Sequence, residues 1–219
     1  MIDLRKYRII DLSPEIVPGE RKIDGRYLHG QPRAGRPVEV QEYIAYGARM
    51  HTIQGHTHCG THVEAFYKYR DDEKDMAAMP IETYIGEAVA CDLTSKAAGA
   101  AITSEDFQKA GVERGNIVLA WGNSAYADCS PYLSVDAVDW LISTGIKLLA
   151  IEYIDSSSPD LPSGKPIADC RLSLAGIPIA DDVVGLSQIT KPRVFFIALP
   201  LKMRRVTASW ARAIVLEEI

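Results

Sequence analysis

The chain has 219 residues, of which 47% are hydrophobic, 24% charged and 8% aromatic, a composition that argues against intrinsic disorder. Its 24 Lys and Arg residues against 29 Asp and Glu residues give a formal net charge of -5, so a basic surface for nucleic acid is not expected. No apolar run reaches the roughly 20 residues of a membrane-spanning helix, and no secretory signal is recognisable. We therefore expect a cytoplasmic protein with neither a nucleic-acid nor a membrane partner.

Short segments rich in β-branched and aromatic residues, each bounded by turn-forming residues, predict β-strands. In chain order these segments are residues 7–12, 38–46, 87–93, 116–122, 147–153, 194–199 and 206–216. Two helices are predicted between them, one capped at Thr103 or Ser104 and ending at Gly111, the other capped at Ser134 and ending at Gly145. Each helix precedes an apolar strand, which indicates helices packed on a sheet.

No internal repeat, low-complexity tract or long linker divides the chain. We therefore predict a single α/β (α+β) layered domain over residues 1–219, with a mixed sheet and helices packed on it. The four cysteines are widely spaced and form no CxxC pair, which argues against a disulfide framework and against a zinc ribbon.

The histidines are concentrated in one segment, because four of the five lie between positions 51 and 62. His58 and His62 are four residues apart, and Glu64 follows two residues later, a mixture of ligands that zinc and manganese accept. Gly60 favours a bent connection from which these side chains converge on one point. A metal ion held by three protein ligands can lower the pKa of a bound water to about 7, which is the chemistry of hydrolysis. The spacing alone leaves open a structural role for both histidines.

The segment HTHCGTHVEA resembles the HxGTHxDxPxH motif of the cyclase family, which includes bacterial kynurenine formamidases and isatin hydrolases. His58, Gly60, Thr61 and His62 match this motif without change. Further similar segments follow in the family's order: IIDLSPEIVPG, IGEAVACDL, IVLAWGN, PYLSVDAVDWLISTGIKLLAIEYID, AGIPIADDVVGL and ALPLK. The resemblance implies a swivelling-type β/β/α domain, usually dimeric or tetrameric, that uses zinc or manganese to hydrolyse amide-like or lactone-like bonds of small molecules.

The resemblance also implies a set of metal ligands. The first ion is held by His58, His62 and the carboxylate at the motif's Asp position, which is Glu64 in this chain. A second ion, where present in the family, uses the same carboxylate with a downstream His and Glu, and these positions fall on Asp169 and Asp181. Carboxylates alone favour manganese or magnesium over zinc at this second site.

Two motif positions differ, because Phe66 replaces the proline and Lys68 replaces the final histidine, the family's general acid or base. An unperturbed lysine has a pKa of about 10.4 and acts as a base only when burial or a nearby cation lowers that pKa. We take Lys68 and Glu64 as candidate catalytic residues, and Phe66 and His56 as candidate substrate-binding residues. The alternative is a salt-bridging or exposed Lys68 that faces the acidic run of Asp71, Asp72, Glu73 and Asp75.

Together these features predict an arylformamidase-like, metal-dependent hydrolase in which a metal-activated water attacks an amide, formamide or lactone carbonyl of a small molecule. Because every replaced ligand position still carries a carboxylate, we favour this over a catalytically inactive family member that acts as a metal- or ligand-binding module. We expect a homodimer or homotetramer. A basic loop over residues 18–37 is a candidate lid for an acidic substrate, with a solvated surface loop as the alternative.

Overall fold

The computed structural model describes residues 3–20, 22–23, 26–27, 37–156 and 167–219. The strands in this part of the chain are β1 (Tyr7–Asp11), β2 (Lys22–Ile23), β3 (Arg26–Tyr27), β4 (Glu39–Ala45), β5 (Ala48–Gln54), β6 (His62–Glu64), β7 (Ile85–Asp92), β8 (Ala101–Ile102), β9 (Ile117–Trp121), β10 (Tyr132–Leu133), β11 (Leu148–Glu152), β12 (Ile179–Asp181), β13 (Arg193–Pro200) and β14 (Ala208–Glu218). The α-helices are α1 (Ser104–Lys109), α2 (Val135–Thr144) and α3 (Ile167–Leu174). Short 3-10 helices span Leu4–Lys6, Phe66–Lys68, Ile81–Tyr84, Ser124–Cys129 and Leu186–Gln188.

An eight-stranded mixed sheet with the order β1-β14-β13-β7-β9-β11-β12-β6 organises the domain. The strands β7, β9, β11 and β12 run parallel to one another, whereas β13 and β14 pair antiparallel. The short strand β6 pairs antiparallel with both β12 and β14. The sheet is therefore closed on itself at β6, which lies between the end of the parallel half and the last strand of the chain.

The core lies on both faces of the central strands. Every residue of β9 and β11 is buried, as expected for nearly continuous apolar strands that are covered on two sides. Side chains along β9 alternate between two hydrophobic clusters, with Leu119 in one and Val118 and Ala120 in the other. The second cluster includes Phe107 and Leu141 from helices α1 and α2, so the helices cover that face.

The predicted fold class is confirmed, and both predicted helices are present. The helix α1 begins with a capping box between Thr103 and Asp106, and α2 is capped by Ser134 and ends at Gly145, whose φ of 74° is left-handed. The helix α3 was not predicted. Its buried face carries Asp169 and Ser173 while Leu174 is exposed, so its sequence has no clear amphipathic pattern.

The segment predicted as a strand over residues 38–46 is β4, but it does not join the main sheet. It forms a separate antiparallel hairpin with β5, a strand that the sequence analysis missed. Most of the basic loop over residues 18–37 lies outside the described residues. No helix in the described part of the chain has both the length and the apolar character to cross a membrane.

Candidate metal centre

The three predicted ligands of the first metal ion come together at strand β6. His62 and Glu64 are its first and last residues, so their side chains lie on the same face. His58 precedes them through a turn at Gly60, which has a left-handed φ of 61°. The turn brings the His58 and His62 rings to a centroid separation of 4.9 Å. The bent connection expected from the glycine is therefore present.

The inner atoms of these three side chains are close enough to share one ion, since one ligand atom from each lies within 4.8 Å of the others. His58 Nδ1 is 3.2 Å from Glu64 Oε1, and His62 Nε2 is 3.8 Å from the same oxygen. Ligand atoms about 2.1 Å from a tetrahedral metal ion are about 3.4 Å apart, a value between these two distances. All three residues are buried. The donor set, its spacing and its burial therefore fit a divalent metal ion.

The outer nitrogen of each imidazole is engaged by a protein oxygen. His62 Nδ1 donates to the Gly60 carbonyl at 2.8 Å, and His58 Nε2 lies 2.9 Å from Thr207 Oγ1. Ligating histidines commonly use the outer nitrogen in this way, which fixes the ring and directs the inner nitrogen to the metal ion. His62 Nε2 is buried and has no hydrogen-bond partner among the described residues. A bound metal ion would supply the partner that this buried nitrogen lacks among the described residues.

The electrostatic field at the centre favours a cation. Burial by itself raises the pKa of Glu64, but the adjacent imidazoles of His58 and His62 and the charge of Lys68 together hold it well below its usual value. Burial opposes protonation of His62, yet Glu64 and the nearby Asp181 raise its pKa to about 9. The carboxylates therefore outweigh desolvation and draw positive charge to this buried site.

Lys68 lies at the end of the 3-10 turn that follows β6. Its Nζ donates to Glu64 Oε1 at 2.6 Å and to Asp169 Oδ2 at 3.3 Å, so the lysine is salt-bridged. These partners belong to the site and are not the acidic run that begins at Asp71. Although burial disfavours its charge, Glu64 and Asp169 raise the pKa of Lys68 above its usual value, which is the reverse of what a general base requires.

The two acids predicted for a second metal ion lie outside the group of three ligands. Asp169, on α3, is buried, and desolvation together with the charge of Glu64 raises its pKa to about 7. Asp181, the last residue of β12, pairs in register with His62. The charge of Asp181 acts on both His62 and Asp169.

The two candidate substrate-binding residues occupy different surroundings. His56 is exposed, its ring centroid lies 5.5 Å from that of His58, and its Nδ1 accepts a hydrogen bond from the His58 backbone N–H. Trp210 Nε1 donates to the His56 carbonyl at 2.7 Å, which ties the residue to β14. Phe66 is partly buried and packs against the main hydrophobic cluster. His56 therefore lies at the rim of the centre, whereas Phe66 contributes to the packing beneath it.

The closed mixed sheet and the buried triad of His58, His62 and Glu64 define the class: an α/β domain with a candidate divalent-metal centre. The chain belongs to the cyclase family, whose model, "Cyclase: Putative cyclase", matches residues 10–157.

Curated relatives and solved structures agree with this membership. The kynurenine formamidase of Bacillus mycoides (strain KBAB4) is 28% identical over 166 residues, which cover 72% of this chain and 75% of the relative. The kynurenine formamidase of Bacillus cytotoxicus is 29% identical over 168 residues, with the same coverage. Isatin hydrolase A from Labrenzia aggregata, solved with benzyl benzoate bound, has a TM-score of 0.80 at 18% identity and covers 98% of this chain and 95% of its own. The structure of a "predicted metal-dependent hydrolase" from Bacillus stearothermophilus has a TM-score of 0.74 at 20% identity and covers 96% of this chain and 98% of its own.

Proposed function

We propose that this protein is a metal-dependent hydrolase that cleaves an amide-like, formamide or lactone bond of a small molecule. The observation that carries the proposal is the buried triad, in which two imidazoles with fixed outer nitrogens and one carboxylate direct their inner atoms to a common point. A divalent ion bound there, zinc or manganese, supplies a Lewis acid that polarises a carbonyl oxygen and lowers the pKa of a water ligand.

The surrounding residues have separate roles in this proposal. His58, His62 and Glu64 hold the ion, and Thr207 orients the ring of His58. Lys68 fixes the Glu64 carboxylate and provides a positive charge close to where the substrate oxygen becomes negative. Because Lys68 is held in two ion pairs, we propose this electrostatic role for it. Proton transfer then requires another group, one that is exposed at the rim of the centre.

His56 is the candidate for that proton transfer, because its ring is exposed beside the centre. Hydrogen bonds from the His58 N–H to Nδ1 and from Trp210 to the carbonyl hold His56 at the rim. We propose that the imidazole takes up the proton that the attacking water loses and delivers it to the leaving nitrogen or oxygen of the substrate, so that the ring returns to its neutral form. General acid–base catalysis of this kind typically contributes about 10²–10⁴ in rate.

The names of the relatives support the substrate class. Formamide cleavage by the kynurenine formamidases and ring opening by the isatin hydrolases both break a bond between a carbonyl carbon and a nitrogen. We therefore propose an aromatic formamide or a cyclic amide as the substrate class, with lactones as the oxygen analogues.

The proposal is tested by assaying the full chain with N-formylkynurenine, isatin and an aromatic lactone, after removal of metal and after reloading with zinc or manganese. We expect turnover of at least one substrate by the reloaded protein, and loss of that turnover in the metal-free protein. The double variant His58→Ala/His62→Ala should be inactive, whereas His51→Ala, which changes an exposed histidine on β5, should keep the wild-type rate. Equal turnover by the double variant would contradict the proposed centre.

A metal- or ligand-binding module without catalysis is the second candidate. It is favoured by Lys68, which replaces the acid or base of the family motif and is held by two carboxylates. Retention of metal ion by the triad without turnover of any of the three substrates would support this candidate over the hydrolase.

A further inference from the structure

The ammonium group of Lys68 lies between two carboxylates that the sequence assigned to a second metal ion. Its Nζ is 2.6 Å from Glu64 Oε1 and 3.3 Å from Asp169 Oδ2. The side chain of Glu64 is only 4% exposed and that of Asp169 only 9%, so both carboxylates are removed from bulk water. A buried pair of carboxylates requires a compensating cation, and this chain supplies one from its own sequence.

The surroundings of Asp169 show that its carboxylate is not fully satisfied by the lysine. Its Oδ1 is buried and has no hydrogen-bond partner in the described part of the chain. Asp181 lies on β12 opposite His62 in the antiparallel pair with β6, and its charge acts on both His62 and Asp169. Glu64, Asp169 and Asp181 therefore provide oxygen ligands of the kind that manganese and magnesium prefer.

The balance of charge decides whether the Lys68 ammonium or a second divalent ion occupies this region. The three carboxylates are neutralised by one ammonium group together with one divalent ion at the triad. A second divalent ion shared by Glu64 and Asp169 would need the space between these carboxylates that the Lys68 ammonium occupies. It would also bring the positive charge of the two ions and the ammonium above the negative charge of the three carboxylates, an excess that is costly in a buried site.

We infer that the Lys68 ammonium takes the place of a second metal ion, so that the centre binds one divalent ion and gains a second site when the ammonium is removed. The second site would be formed by Glu64, Asp169 and Asp181. The inference rests on the proposed metal centre. It implies that lysine at position 68, where the family motif has histidine, limits the centre to one metal ion.

The test measures how many Mn²⁺ ions the full chain binds. Metal-free protein is titrated with Mn²⁺ by equilibrium dialysis, and the bound ions are examined by electron paramagnetic resonance for magnetic coupling between neighbouring ions. We expect about one ion per chain in the wild type and about two, magnetically coupled, in Lys68→Met. The variant Lys68→Arg keeps a cation and should bind one ion, and so should Lys74→Met, which removes an exposed lysine.

A further variant identifies the ligands of the additional ion. Adding Asp169→Asn to Lys68→Met should return the stoichiometry to one ion, because the new site loses a carboxylate. Circular dichroism verifies that each variant is folded, and Lys68→Gln takes the place of Lys68→Met if the latter is not.

The outcomes separate this inference from the proposed function. The role of Lys68 would be overturned if the wild type bound two ions, or if the folded Lys68→Met and Lys68→Gln variants bound only one. Neither result would contradict the first metal site. Absence of bound Mn²⁺ and Zn²⁺ from the wild type would overturn the metal centre itself, and with it both proposals.

Discussion

Thr207 contacts a candidate metal ligand from a position 149 residues further along the chain. Its Oγ1 lies 2.9 Å from His58 Nε2, on the side of the ring that faces away from Glu64. Such a contact selects the tautomer and fixes the orientation of a ligating imidazole. Thr207 is therefore a positioning residue for the metal centre.

Replacing this hydroxyl should weaken metal binding without changing the fold. In Thr207→Val the side chain keeps its shape but cannot form a hydrogen bond with His58 Nε2, so the dissociation constant for zinc or manganese should rise about 10–100-fold. Thr207→Ser keeps the hydroxyl and should bind the ion nearly as tightly as the wild type. The measurement is a competition titration with a chromophoric chelator, and equal affinity of Thr207→Val and the wild type would show that this contact does not position the ligand.

Sequence reasoning reached His58, His62 and Glu64 because their pattern is local, within seven residues of chain. The contact of Thr207 with His58 and the ion pair between Lys68 and Asp169 could not be predicted from the sequence, because both depend on how distant segments pack. Thr207 comes just before β14, which pairs with β6, and Asp169 lies on a helix that buries polar as well as apolar side chains. No periodicity or motif in one sequence indicates either contact.

At the scale of elements, Glu217 fastens the end of β14 to the loop that precedes β13. One carboxylate oxygen accepts from the backbone N–H groups of Thr190 and Lys191 at 2.6 and 3.0 Å, and the other accepts from the Thr190 hydroxyl at 3.0 Å. Burial raises the pKa of Glu217, but these hydrogen bonds outweigh it, so the net effect lowers the pKa below its ordinary value of 4.5.

The lowered pKa predicts how the contribution of Glu217 depends on pH. A carboxyl group with a depressed pKa in the folded state stabilises the protein above its unfolded pKa and loses that stabilisation as the pH falls through the folded value. At pH 7 we expect Glu217→Gln to reduce the free energy of unfolding by about 1 kcal/mol. The difference from the wild type should shrink below pH 4.5. Urea unfolding at several pH values measures it, and a difference that does not change with pH would contradict the assignment.

The strands and helices were predicted where their patterns are regular. The buried strands β9 and β11 and the capped helix α2 agree with the predicted segments within two residues at each end. The hairpin of β4 and β5 was only half recognised, because β5 carries exposed polar and apolar side chains in no clear alternation. Strand order could not be predicted either, since closure of the sheet at β6 depends on pairings between distant segments.

At the scale of the whole molecule, the hairpin of β4 and β5 carries exposed apolar side chains on both of its faces. Tyr43, Ile44 and Ile53 are between 49% and 67% exposed, and Val40 and Met50 are each 39% exposed. A two-stranded hairpin with little burial is marginally stable in water, and apolar patches of this kind commonly form protein interfaces. We propose that a second copy of this chain covers the hairpin.

This proposal predicts a homodimer or homotetramer in which the hairpin is buried. Light scattering after size exclusion should give a mass of at least twice 24.1 kDa for the wild type. The double variant Ile44→Lys/Ile53→Lys should shift the protein toward the monomer, because charges would have to be desolvated in the interface. Ile81→Lys, at an exposed position outside the hairpin, should leave the mass unchanged. A monomeric wild type, or an unchanged mass in the double variant, would contradict the proposal.

The metal content of the purified protein tests the central claim most directly. The full chain is prepared without chelator, incubated with zinc or manganese, freed of unbound ion and analysed by mass spectrometry of the elements. We predict about one divalent ion per chain in the wild type and in His51→Ala, and almost none in the folded His58→Ala/His62→Ala variant. A wild type without bound zinc or manganese, or a double variant that retains as much metal as the wild type, would contradict the account.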